Sequence, residues 1–123
     1  MKQLLTILCL TLVSSYSYSH EVSTDKCYQY TDGICYEPNS RKPFTGTYTH
    51  YYENGQLERT GNVEDGKEEG VWELFYENGQ LEQRGNFREG KGEGLRENFH
   101  DNGQLSYSEN YKNGKQVGVS ERF

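Results

Sequence analysis

The chain has 123 residues, 14 of them glycine and 11 tyrosine, no alanine, and a formal net charge of −6. That length holds one domain at most, and a chain without alanine but rich in Gly, Tyr and Asn-Gly pairs argues against helices. The mean hydropathy of −1.04 would suit disorder, but disordered segments are poor in aromatics and this chain is 14% Phe, Trp and Tyr, so a thin all-β structure is expected.

Met1 and Lys2 are followed by an apolar run from Leu4 to Val13, broken only by Thr6 and Thr11, and then by the polar stretch Ser14 to Ser19. This is the pattern of a secretory signal, because a membrane span needs about 20 apolar residues. Small residues place cleavage after Ser17 or Ser19, so residues 1–19 are expected to be removed. A lipidated Cys9 would need small residues just before it, whereas Thr6, Ile7 and Leu8 precede it. The expected location is secreted or periplasmic, with no transmembrane segment after cleavage. Loss of Lys2 leaves 12 basic against 19 acidic side chains, a charge of −7. Such a surface repels phosphate backbones and anionic lipid, so nucleic acid is excluded as a partner.

Cleavage also removes Cys9 and leaves Cys27 and Cys35, which an oxidising compartment is expected to pair. The segments on either side of Thr31-Asp32-Gly33 read as a short hairpin that a disulfide would lock, making residues 20–42 an N-terminal cap. A two-cysteine metal site is the rival, but His20, His50 and His100 fall at unrelated places.

From there on the chain is periodic. Asn-Gly-Gln-Leu recurs at Asn54, Asn78 and Asn102, a period of 24 without slippage. Residues 51–74 match residues 75–98 at 14 of 24 positions, including Gly61 with Gly85 and Gly70 with Gly94. The third copy, 99–122, puts Glu109 where the other two have glycine. Asn-Gly, Asp-Gly and Glu-Gly pairs alternate every 11 or 13 residues and read as two-residue type I′ turns joining antiparallel strands. Seven strands follow in a meander, at about 43–53, 56–64, 67–77, 80–88, 91–101, 104–112 and 115–123.

Alternation assigns Trp72, Leu74 and Tyr76 to one face of the third strand, and Leu57, Arg59, Gly61 and Val63 to one face of the second. Only 11 Val, Ile and Leu residues lie beyond residue 19, too few for two packed sheets. An elongated, curved single sheet held by aromatic cross-strand pairs and neighbour stacking is therefore expected, with Gly61, Gly70, Gly85 and Gly94 marking bulges or close backbone approach.

The recurring stretch Gly85-Asn86-Phe87-Arg88-Glu89-Gly90-Lys91-Gly92-Glu93-Gly94-Leu95, followed by Phe99, Asn102 and Gly103, resembles the MORN repeat. It is most similar to the bacterial variant form, often labelled antitoxin-like, over residues 43–123. The resemblance implies stacked β-hairpins and a scaffold or protein-contacting role, with an antitoxin-like or immunity-type inhibitor of a toxin as the alternative.

No enzyme is expected. There is no Gly-x-Ser-x-Gly, and His50 and His100 occupy non-equivalent repeat positions. Glu53, Glu77 and Asp101 recur because they precede turns. Glu64, Asp65, Glu68 and Glu69 cluster at one turn without the order of a calcium loop, and Gly90 to Gly94 lacks the order of a phosphate loop. No cofactor or metal is therefore assigned. Aromatic side chains are common interface anchors, and Tyr48, Tyr52, Trp72 and Tyr76 are the candidate binding face, with Trp72 and Tyr76 expected as an exposed strip. The final strand, 115–123, offers a sheet edge for another protein or for a second copy of the chain.

Overall fold

The computed structural model describes residues 32–123. Residues 1–19, Cys27 and most of the cap at 20–42 lie outside the described residues. The rest forms a single antiparallel sheet of eight strands: β1 (Gly46–Tyr51), β2 (Leu57–Glu64), β3 (Lys67–Phe75), β4 (Leu81–Arg88), β5 (Lys91–Gly92), β6 (Gly94–Phe99), β7 (Leu105–Lys112) and β8 (Lys115–Arg122). The order is β1-β2-β3-β4-β6-β7-β8, with the short β5 paired to β4. The described residues contain no helix, and the sheet is open.

Eight strands appear where seven were expected because 91–101 divides at Glu93. The division is one instance of a recurring bulge. Thr60 faces Glu73 and Asn62 faces Glu69, so Gly70, Val71 and Trp72 lie opposite Gly61 alone. Likewise Ser108 faces Glu121 and Asn110 faces Val117, leaving Gly118, Val119 and Ser120 opposite Glu109. Between these two, residues 93–96 lie opposite Gly85 and Asn86. Each bulge contains a glycine in the left-handed region, Gly70 at φ 76°, Gly94 at 80° and Gly118 at 75°, a conformation a side chain would strain.

The turns fall into two kinds. Asp65-Gly66, Glu89-Gly90 and Asn113-Gly114 hold positive φ at both positions and are the expected two-residue turns. The Asn-Gly pairs at 54, 78 and 102 are not: only the glycine is left-handed. Gly55 N–H donates to Tyr52 O at 2.9 Å and Tyr52 N–H to Gln56 O at 2.8 Å, which defines a type I turn continued by a left-handed glycine. Asn54 is used for its side chain, whose Oδ1 accepts the Gln56 N–H at 2.9 Å. A one-residue slip beside these loops sets Leu57 opposite Tyr51, Leu81 opposite Phe75 and Leu105 opposite Phe99. Leu57 thereby leaves the face of Arg59, correcting the simple alternation.

The buried core is small and lies at the N-terminal end: Cys35, Phe44, Tyr48, Val63 and Trp72, with Phe87 packed against it. The chain before β1 is tied to the β2–β3 turn by Cys35 N–H to Gly66 O and Gly66 N–H to Phe44 O, both 2.7 Å.

Candidate functional site: the aromatic face and the open edge

The four candidate aromatics share a region but not a role. Trp72 is 2% exposed and Tyr48 9%, so neither belongs to an exposed strip. Their rings lie 5.5 Å apart, and the Trp72 indole N–H donates to Asn62 O at 3.0 Å. Trp72 can sit there because Gly61 lies under it: a Cβ on Gly61 would come within 2.2 Å of the indole. The sequence showed the glycine inside a strand; only the structure shows what it admits.

Tyr52 and Tyr76 are half-buried and bind the next repeat. Tyr52 hydroxyl donates to Phe75 O at 2.6 Å and Tyr76 hydroxyl to Phe99 O at 2.7 Å. Asn54 Nδ2 and Asn78 Nδ2 make the parallel contacts to Glu77 O and Asp101 O, at 3.1 and 2.9 Å. Both phenols are pushed above their ordinary value, first by burial and then by nearby carboxylates, Glu58, Glu82 and Glu77 at Tyr52, and Glu82 and Asp101 at Tyr76. At the opposite margin of the sheet, Gly66, Gly90 and Gly114 N–H donate to Phe44, Glu68 and Gly92 O, three bonds in 24-residue register. Glu89 N–H and Asn113 N–H are held by the carboxylates of Glu69 and Glu93. The acids that recur near turns are thus partly structural.

Two arginines complete the aromatic face. Arg59 lies 5.1 Å from the Tyr48 ring and 5.9 Å from Trp72; Arg96 lies 5.7 Å from Phe87 and 4.1 Å from Tyr111. Glu68 is half-buried on this face, and burial raises its carboxyl above the ordinary range while Arg59 and Arg96 oppose that shift. Register sets Glu68 opposite Val63 and Glu69 opposite Asn62, on different faces, so the acidic cluster at this turn is divided. Towards the C-terminus the face becomes polar. Asn98 is 8% exposed; its Oδ1 accepts from Gln83 Nε2 at 2.7 Å and its Nδ2 has no hydrogen-bond partner. Among the described residues no three His, Cys, Asp or Glu side chains could hold a metal, and no helix is long and apolar enough to cross a membrane. His50 contacts Glu58 at an exposed position.

The exposed apolar side chains lie elsewhere than expected. Val71, Leu95 and Val119 are 24 residues apart, opposite in face to Trp72 and its equivalents, and are 53%, 49% and 89% exposed. Val117 and Phe123 join them at the β8 end, 44% and 69% exposed. Among the described residues β8 has one neighbour, β7, and its other edge is open.

A chain of 24-residue hairpin units, stapled copy to copy by backbone and tyrosine bonds in one open sheet, is a repeat protein of the solenoid kind. The MORN repeat variant model matches residues 44–65, 68–89 and 92–113, and the chain belongs to that family. No curated protein and no solved structure matches it.

Proposed function

We propose that this chain is an exported, non-catalytic binding module that engages another protein through the open edge of β8. The family and the all-β repeat fold are consistent with a binding or scaffold role. The single observation that carries the choice of surface is exposure. The aromatic face expected to bind is filled in its first half by core packing, whereas the β8 edge combines unpaired backbone with Val117, Val119 and Phe123. An exposed apolar strand edge is an invitation to strand addition.

Export rests on the signal-like segment 1–19, and the proposed Cys27–Cys35 disulfide belongs to the same reading. An antitoxin-like or immunity-type inhibitor is the more specific form of it, in which the edge-bound protein is a toxin. The experiment is recovery of the tagged protein from its native host after cross-linking. A protein joined to the wild type and lost from Val119→Lys/Phe123→Lys supports the edge. A partner retained by that folded double variant, or an uncleaved chain in the cytosol, overturns the edge or the export reading respectively. A toxin encoded next to the gene would favour the inhibitor form.

A further inference from the structure

The open edge of β8 is a copy of two edges that are already occupied. Gly70 to Leu74 of β3 pair without interruption with Phe87 to Gln83 of β4, and Gly94 to Asn98 of β6 pair in the same register with Tyr111 to Tyr107 of β7. The bulge that shapes each of these strands is directed at the preceding strand and leaves the following edge regular. β8 has that bulge at the equivalent residues, with Gly118 at φ 75° beside 76° and 80° for Gly70 and Gly94. Its register against β7 repeats that of β3 against β2 residue for residue, 48 positions on. The Gly118–Arg122 edge is therefore set for the same pairing before any partner arrives.

The occupied copies also state what the partner must carry. Gly70 and Gly94 face the aromatic residues Phe87 and Tyr111. Val71 and Leu95 face Asn86 and Asn110, and are about half exposed where Val119 is 89% exposed. Trp72 faces Gly85 and Arg96 faces Glu109. Glu73 faces Arg84 and bonds it at 2.9 Å, and Glu121 is its equivalent on β8. Phe75 and Phe99 are half-buried against Leu81 and Leu105, whereas Phe123, their equivalent, is 69% exposed.

Resting on the edge reading above, we infer that β8 takes an antiparallel strand of another protein with the pattern Leu-x-x-Arg-x-Asn-aromatic. Its leucine covers Phe123, its arginine pairs with Glu121, its asparagine lies over Val119 and its aromatic residue faces Gly118. The segment Leu81-Glu82-Gln83-Arg84-Gly85-Asn86-Phe87 of this chain has that pattern. Among the described residues the edge strands of a second copy, β1 and β8, do not, because both correspond in repeat position to β3 and β6. The partner is thus a strand resembling β4.

The probe is a labelled peptide of residues 80–90, titrated into the full chain, with amide hydrogen exchange mapping where it lands. Saturable binding that slows exchange at 118–123 is expected, weakened about tenfold or more by Leu81→Glu or Phe87→Glu in the peptide. Arg84→Glu in the peptide should bind less well to the wild-type chain and better to Glu121→Arg. If a scrambled peptide protects 118–123 equally, the pattern is overturned and the edge reading stands. If no peptide protects those residues while the cross-linked partner still depends on Val119 and Phe123, the strand mode is overturned. Dimerisation that occupies β8, seen by light scattering, overturns the choice of a foreign strand in favour of a second copy.

Discussion

The first and last thirds of the sheet share one backbone and differ in what covers it. In β2–β3 the bulge places Trp72 over Gly61, and Tyr48, Val63 and Phe44 close around the indole. One repeat later Arg96 takes that place over Gly85, lying between Phe87 and Tyr111. In the last copy Ser120 and Glu109 hold the two positions, and nothing of the kind is buried. The bulge, the tight turn and the inter-repeat bonds persist through all of this. The repeat is therefore carried by backbone geometry and its staples, while side-chain packing is free to vary from a small apolar core to a polar surface. The buried core lies at one end of the array, and the open β8 edge lies at the other.

The two ends should differ most at Trp72. Trp72→Ala should cost about 3–5 kcal/mol in denaturant unfolding, because it empties the largest buried side chain of a small core. Arg96→Ala, at the same repeat position, should cost a small fraction of that; equal losses would mean that the two ends are packed alike. Next in size is the pair of glycines beneath them. Gly61→Ala should cost about 1–3 kcal/mol, since its Cβ would strike the indole, whereas the Gly85 Cβ would meet Arg96 Nε at 3.5 Å, an ordinary contact. Thermal melts of the two variants check the contrast directly.

Smaller effects test the staples. Tyr76→Phe removes one hydroxyl bond to Phe99 O and should cost about 1 kcal/mol or less. The raised phenols of Tyr52 and Tyr76 mean that the folded state holds these protons more tightly than the unfolded one. Their contribution is therefore present below the ordinary tyrosine range and is lost as pH rises through and above it. A melt series into alkali should fall less steeply for the double Phe variant than for the wild type. The smallest expected effect is at Glu68, whose raised carboxyl makes the ionised form a cost to folding. Stability from this group falls as pH rises from the ordinary glutamate range to the raised one. Glu68→Gln should melt slightly higher than the wild type at neutral pH and lose that advantage in acid.

Much of this fold was legible because its signals are local. The 24-residue period, the antiparallel meander and the positive-φ turns at Asp65-Gly66, Glu89-Gly90 and Asn113-Gly114 all follow from residues a few positions apart. Asn54-Gly55 has the same dipeptide chemistry but a different turn, because the asparagine side chain bonds Gln56 and Glu77 rather than yielding its own backbone to the left-handed region. The exposed strip expected at Trp72 is instead buried. Alternation gave the side of the strand on which Trp72 lies, but burial depends on Gly61 and Tyr48 across the sheet and on Phe44 from the cap.

By itself the sequence determined the class of structure: an all-β array of hairpin units in one sheet, since turn residues and a fixed period act through short stretches of chain. Only the tertiary structure decided which aromatics are core, staple or surface. It also decided that a bulge displaces pairing at Gly70, Gly94 and Gly118 while leaving the next edge regular. The reason is that register and burial are properties of neighbouring strands taken together. The equivalent glycine is a seat for arginine beside one neighbour and a seat for tryptophan beside another.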